Sequence, residues 1–404
     1  MDIATARDRR LYLAAHPFAY PLLRLLARRG PVVRLPGIGV AVNDAALARE
    51  ILMDTGSFRK DGPGSAGELW TAVLGPSVLL NMEGEAHRAM RRRLAELFTP
   101  SSAARLCAEV LDEPLHRLDA RLASGAPVDL VEVTRMAAGA VICELVGIRV
   151  PGDAAARERA YLDYYRRASE IIAMVRMTTR SFSPAQLARA HAVLDPIADI
   201  AARAWAEGDD STVVGRMRLL GVSEQEARGA VGAFFITGTE TVATAFPRLV
   251  ALLHDSGRAA ALGESVRAGA EGPLDAAIDE ALRVTTPTPV MLRSVAKPAR
   301  IGPVAVRPGH RILIVTHNCA IAGGGFDPGR PQTAQIRHLW FGAGPHFCLG
   351  YPLAVAELRA LAGTVLTHAP FRVIRRRPAR RVLLPAYARL DIAGSREHPP
   401  APSP

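Results

Sequence analysis

The stretch FGAGPHFCLG, residues 341–350, is a glycine-punctuated loop that presents one cysteine immediately before a helix start. Pro352, at the head of the apolar run LAVAELRALAGTVL, predicts a helix beginning just past Gly350, because proline is tolerated in a helix's first turn. Amides and the positive dipole end at such a terminus stabilise a thiolate, which makes Cys348 a candidate anionic metal ligand. Gly342 and Gly344 permit tight turning, and Gly350 lets the backbone approach a flat cofactor closely. An isolated cysteine is most often an inert buried thiol. The loop around it therefore carries the reading.

Upstream of this loop, PVAVRPGHRILIVTHN, residues 303–318, reads as a hairpin turning at Pro308 and Gly309, followed by an irregular stretch to about Leu339. Before it, Glu280 and Arg283 in DEALR stand three residues apart on one helix face, a spacing that alone describes most surface helices. Ser223 and Glu226 form a capping box ahead of a helix expected to continue for about 30 residues, roughly 45 Å. Its middle, TGTET from Thr237 to Thr241, is poor helix material, and Pro247 should kink it. A polar, weakened centre in a buried helix suggests that something docks there. Toward the N-terminus, His87 and Arg91 lie at i, i+4 in HRAMR, residues 31–43 read as two short strands around a turn, and the first 30 residues are helical.

The chain has 404 residues, 49% hydrophobic and 22% charged, the profile of an ordinary globular protein with a core large enough to enclose a sizeable cofactor. No repeat or long linker divides it. The expectation is one mainly α-helical domain with small β-sheets over residues 1–392 and a disordered tail over 393–404. Four scattered cysteines exclude a disulfide framework or a zinc finger and fit a reducing cytoplasm. No apolar run is long enough for a membrane anchor, and no signal peptide is expected. The net charge of +11 is spread over arginines along the whole length, which argues for solvated helix faces and an acidic protein partner rather than nucleic acid.

Residues 341–350 resemble the F-G-x-G-x-H-x-C-x-G loop of the cytochrome P-450 family in its soluble bacterial form, with every specified position met. The resemblance implies a single triangular fold with haem b, iron protoporphyrin IX, between a long central helix and the cysteine-loop helix. It implies Cys348 as the iron ligand, Phe341, Gly342 and Gly350 against the haem, and His87, Arg91, Arg293 and His346 as propionate contacts. TGTET resembles the family's A-G-x-[DE]-T segment, with Thr237 in place of alanine. There Gly238 would open room for dioxygen, while Thr241 and Glu240 would pass protons toward it. Glu280, Arg283 and Arg330 resemble a buried structural network, and a substrate pocket is implied at Leu69, Trp70, Leu74, Phe234, Phe235, Thr237, Val290 and Met291, with a late loop near Leu383 to Ala386.

The same resemblance implies a monooxygenase acting on a hydrophobic small molecule in bacterial specialised metabolism. It would be a cytoplasmic monomer, fed with electrons from NAD(P)H through a reductase and an acidic ferredoxin or flavodoxin that docks near Arg91 to Arg93. The alternative is a catalytically silent helper in a biosynthetic complex, although such a protein would be expected to have lost the cysteine or the relay residues. Two departures stand out. Asn318, Cys319 and Ala320 replace the usual Asn-Arg-Asp, and Leu353, Ala354 and Val355 replace Leu-Ala-Arg.

Overall fold

The computed structural model describes residues 2–176 and 179–394. The chain opens with α1 (Ile3–Ala15) and α2 (Ala19–Arg29), then the hairpin strands β1 (Val32–Leu35) and β2 (Gly39–Val42). After them come α3 (Ala45–Met53), the two-residue strand β3 (Phe58–Arg59), α4 (Ala66–Leu74), α5 (Gly84–Ala95) and α6 (Pro100–Ala123). The middle of the chain forms β4 (Val128–Asp129), α7 (Leu130–Leu145), α8 (Ala154–Ala173), α9 (Pro184–Glu207), α10 (Val213–Leu219), α11 (Glu224–Thr237) and α12 (Glu240–Asp255). Beyond α13 (Ala259–Arg267) and α14 (Glu271–Thr285) lie β5 (Met291–Val295), β6 (Ala299–Ile301), β7 (Val304–Val306), β8 (Arg311–Ile314) and α15 (Thr316–Ile321). The cysteine loop leads into α16 (Tyr351–Thr367), β9 (Phe371–Pro378) and β10 (Tyr387–Gly394).

A helix that is apolar all round belongs inside a protein, and α7 and α12 are such helices: both are buried along nearly their full length. They join α6, α11, α14 and α16 in one apolar core. A smaller sheet, ordered β1-β2-β8-β5-β3, lies to one side of this body, with β2 and β8 parallel and β5 antiparallel to β8. β3 pairs with β5 at the far edge, which sets residue 60 beside Arg293.

α1 is tied down by an ion pair with almost no solvent contact. Arg248 of α12 donates from Nε and Nη2 to the Asp8 carboxylate at 2.8 and 2.7 Å, and from Nη1 to the Pro385 carbonyl at 3.2 Å.

The structure revises four expectations. The central helix is divided: α11 ends at Thr237, α12 starts at Glu240, and α12 runs through Pro247 without interruption. Threonine hydroxyls compete for carbonyls at the division, with Thr237 donating to Ala233 O at 2.8 Å and Thr244 to Thr241 O at 3.1 Å. The turn at Pro308 and Gly309 does not close a hairpin, since β7 pairs with β6 while β8 pairs with β2 and β5. The stretch after β8 contains the fully buried helix α15, so it is not irregular throughout. Strand β10 takes in residues 393 and 394, and the rest of the expected tail lies outside the described residues.

Glu357 on α16 is buried with Oε1 unpartnered, and burial pushes its carboxyl up to about 8 from an ordinary 4.5. Between those values the folded chain holds a proton that the unfolded chain has lost, so stability falls as pH rises and levels off above about 8. Glu357→Gln is expected to remove this loss, on the order of a few kcal/mol at alkaline pH. Denaturant unfolding at pH 5 and pH 9 checks it, and a pH dependence equal to that of the parent chain contradicts it.

Candidate active site

The cysteine loop doubles back on itself, with the Cys348 amide donating to Phe341 O at 2.9 Å and the Phe347 amide to Gly344 O at 3.0 Å. Gly342 and Gly344 take positive φ of 86° and 63°. At Gly344 a side chain is excluded twice over, since a Cβ would stand 2.9 Å from Met53 Sδ and 3.1 Å from Leu52 O of α3. Gly350, N-cap of α16, turns its bare side toward the Cys348 sulfur, 4.0 Å from where a Cβ would lie. Phe341 and Tyr351 pack edge to face, and Phe347 stands tilted against both. Burial raises the Cys348 thiol pKa; the amides of Gly350 and Tyr351 and the charges of Arg91 and Lys60 act in the opposite direction. The expected thiolate stabilisation is present but smaller than the cost of desolvation.

Around this sulfur the fold gathers more positive than negative charge. Arg91 comes from α5, Arg293 from β5, and Lys60, which no local sequence signal marks, from the end of β3. None of the three side chains has a carboxylate within ion-pairing distance among the described residues. Arg293 is 4% exposed, with Nη1 on the Leu292 carbonyl and Nε unpartnered. Burial lowers its guanidinium to about 10, and burial with Arg293 nearby lowers the Lys60 ammonium to about 7. Burial, with the charges of His346, Lys60 and Arg91, lowers the His87 imidazole to about 4. His346 stacks against it at 4.1 Å between centroids, bonds Glu83 Oε2 through Nε2 at 2.9 Å, and leaves a buried Nδ1 without a partner. Glu83 is the local counter-ion: burial would raise its carboxyl, but His346 and the Lys60 amide bring it below the usual value. Such a donor set suits a ligand that carries carboxylates.

At the division of the central helix, Thr237 is exposed and Thr241 partly so, with the Thr241 hydroxyl on Thr237 O at a loose 3.5 Å. Glu240 turns toward α8. Its Oε1 accepts from Tyr165 Oη at 2.9 Å and from the Ser169 hydroxyl. Gly238 lies between the two helices, where a side chain would be crowded. A Cβ there would meet Phe234 O at 2.9 Å and Ile142 of α7 at 3.3 Å, so the glycine serves the contact with α7.

The proposed pocket residues divide. Leu69, Trp70 and Leu74 are half-buried on α4, with Trp70 5.7 Å from the Phe182 ring. Phe234 is half-buried against Phe98 at 5.1 Å, and Met291 is half-buried at the start of β5. Phe235 is 0% exposed on the opposite helix face and belongs to the core, because neighbouring helix positions point about 100° apart. Val290 packs with Leu26, Ala41 and Val315 under α2.

The Glu280, Arg283 and Arg330 group meets on a turn after α15. Arg283 pairs with Glu280 through two bonds of 2.7 Å and reaches the carbonyls of Ala320, Gly324 and Gly325. Arg330 binds Gly323 O and Gly325 O, and Glu280 accepts the Asp327 amide. The Arg91 to Arg93 cluster is not a free docking patch: Arg91 faces inward, Arg93 pairs with Glu226 at 3.1 Å, and Arg92 alone is exposed, beside Arg88.

The cytochrome P450 family profile matches residues 273–382, from the ion-paired helix through the cysteine loop. The cytochrome P-450 monooxygenase DoxA of Streptomyces sp. (strain C5) is 29% identical, covering 89% of this chain and 91% of its own length. Among solved structures, a P450 EryK mutant in complex with erythromycin B superposes with TM-score 0.76 at 21% identity, covering 96% of this chain and 99% of the other. P450BioI in complex with an acyl carrier protein ligated to hexadec-9Z-enoic acid gives 0.77 at 19% identity, covering 95% and 99%. The fold is matched over nearly the whole chain and the loop of Cys348 lies inside the matched profile, so this chain is similar to the cytochrome P450 family in its architecture and in its cysteine loop.

Proposed function

We propose that this chain is a haem-thiolate monooxygenase in which Cys348 is the protein ligand to iron and a hydrophobic small molecule takes up one atom of dioxygen. The observation that carries the reading is the enclosed thiol beside Lys60, Arg91 and Arg293, three cations for which Glu83 is the one nearby carboxylate among the described residues. The haem of this family has two propionates to meet those cations and a metal ion that deprotonates a coordinating thiol outright. When bound, the haem would supply the redox centre for dioxygen, with Cys348 as the anionic sulfur that would hold its iron.

The chain's own residues then have separate tasks. Arg91, Arg293 and Lys60 neutralise the propionates, while His87 and the open Nδ1 of His346 offer neutral hydrogen bonds. Phe341, Gly342 and Gly350 let the loop lie close against the porphyrin. The Thr241 hydroxyl, only loosely held by Thr237 O, can swing to donate at the oxygen site. Glu240, anchored on Tyr165 and Ser169, exchanges protons with solvent once it turns from α8. Glu280, Arg283 and Arg330 keep the approach to the loop rigid.

The half-buried apolar side chains of α4 and α11 favour an uncharged substrate body. Neighbours bound to erythromycin B or to a fatty acyl group support a substrate of bacterial specialised metabolism. Electrons come from NAD(P)H through a reductase and an acidic ferredoxin or flavodoxin, for which exposed Arg88 and Arg92 offer charge. The protein acts in the cytoplasm as a monomer.

The test is a screen of apolar compounds by optical shift of the ferric haem, followed by NADPH oxidation with a surrogate ferredoxin and reductase. Shifting compounds should be oxidised; binding without any turnover contradicts the proposal. In the same assay Thr241→Ala is expected to keep electron consumption while product per NADPH falls roughly tenfold or more. Unchanged coupling places the relay elsewhere.

A further inference from the structure

Large apolar side chains exposed on this molecule concentrate at its N-terminal end: Ile3, Leu13, Phe18, Leu22, Leu25 and Ile38, against Met53, Leu219 and Ile374 in the rest of the described chain. Phe18, at 89% exposure, and Leu22 and Leu25, at 53% and 46%, succeed each other at i, i+4 and i+7 along the outer face of α2. The adjoining face, with Leu23 and Leu26, packs with Ala41, Val33 and Val315. α2 is thus held in place by one face while a Phe-Leu-Leu stripe is turned to solvent. Ile38, in the β1–β2 turn, is a further apolar point exposed at 48%.

The charge around this stripe has one sign. Between residues 9 and 43 the chain carries Arg9, Arg10, Arg24, Arg28, Arg29 and Arg34 and no aspartate or glutamate. Arg24 and Arg28 lie on one flank of the stripe, about 100° per residue around the helix. Beside α2 is a hollow of 390 Å³ whose lining includes Arg9, Arg24, Asn43, Asn318 and Asp44. The carboxylate of Asp44 already caps α3 through the Leu47 amide. Burial and the charges of Arg9 and Arg28 lower the pKa of the Arg24 guanidinium, the condition that an arriving anion relieves.

We propose that α2 and the β1–β2 turn form a peripheral docking surface for an anionic phospholipid bilayer, with Phe18, Leu22 and Leu25 entering the acyl boundary and Arg24, Arg28 and Arg29 meeting the headgroups. No helix among the described residues is long and apolar enough to cross a membrane, so contact is by the side of a helix lying in the interface. The expectation that no membrane is a partner is thereby narrowed to the absence of a crossing helix. An acidic protein would suit the arginines but leaves Phe18 and the two leucines without an apolar partner. A bilayer matches both. The surface would keep the enzyme where apolar compounds partition, but the inference stands apart from the reaction, because binding is read without turnover.

The test is co-sedimentation of the haem-loaded full chain with vesicles of phosphatidylcholine alone and of phosphatidylcholine mixed equally with phosphatidylglycerol. Binding to the mixed vesicles should exceed binding to the neutral ones by roughly tenfold or more, and fall as salt rises. The double variant Phe18→Glu, Leu22→Glu, whose substitutions lie at exposed positions, should sediment no more than a vesicle-free control. Arg28→Ala with Arg29→Ala should weaken binding by roughly tenfold or more. A Phe18→Trp variant should show a blue-shifted emission with the mixed vesicles. Absence of sedimentation, equal sedimentation of the Phe18→Glu, Leu22→Glu variant, or self-association abolished by Phe18→Glu without vesicle binding each overturns the proposal, the last in favour of a second copy of the chain.

Discussion

Cys348→Ala is expected to abolish the red-shifted Soret band of the reduced, carbon monoxide-treated protein and all oxidation of substrate. Losing an outer partner of a metal ligand costs about 10–100-fold in metal affinity, so removing the ligand itself should exceed that range and yield chain largely free of haem. Cys348→His separates ligation from anionic character: the imidazole can hold iron, so haem should be retained while the red-shifted band and the oxidation are lost. The alanine change removes only a sulfur, and the Cys348 amide bond to Phe341 O needs no side chain, so the loop should persist. Helix content by circular dichroism checks that. A red-shifted band surviving in Cys348→Ala would mean that another of the cysteines holds the iron, although Cys107, Cys143 and Cys319 are buried thiols whose pKa burial drives upward.

The second large effect is structural. Arg283→Ala leaves the Glu280 carboxylate, 2% exposed, with the Asp327 amide as its remaining hydrogen-bond donor among the described residues, frees the carbonyls of Ala320 and Gly324, and leaves the Gly325 carbonyl to Arg330 alone. Breaking a buried pair from one side costs about 3–5 kcal/mol, a large share of the roughly 5–15 kcal/mol by which native proteins are stable. The variant should unfold at much lower denaturant and incorporate little haem. Arg283→Lys should rescue little, because one ammonium cannot replace a planar fork that serves a carboxylate and three carbonyls together. Arg92→Ala, at an exposed pair with Glu85, is the control and should change stability by well under about 1 kcal/mol. Equal stabilities for Arg283→Ala and Arg92→Ala would remove the network from the account of the fold.

Features written in a few neighbouring residues were legible in the sequence. The start of α16 after Gly350, the Ser223 and Glu226 capping box and the β1–β2 pair each depend on local propensity and are found where the pattern set them. Features that depend on distant pairing were not. Lys60 comes beside Arg293 only because β3 pairs with β5 far along the chain, and nothing in FRKDG announces it. Glu240 satisfies its carboxylate on Tyr165 and Ser169 of a different helix, a partnership no spacing within TGTET encodes. The division between α11 and α12 falls inside TGTET, where weak propensity set it, whereas Pro247 is accommodated within α12. Phe235 was misplaced because adjacent aromatics in a helix face different ways.

The ring of positive groups about the cysteine has a bearing on the life of the protein in its cell. Lys60 is repelled by Arg91 and Arg293, and Glu83 tempers Lys60 and Arg293, so the fold bears an electrostatic cost that a bound anion would relieve. A ligand that binds only the folded chain stabilises it by mass action. Porphyrin supply would then set how much of this protein survives quality control, and a cell starved of iron would lose the polypeptide to proteases as well as its catalysis.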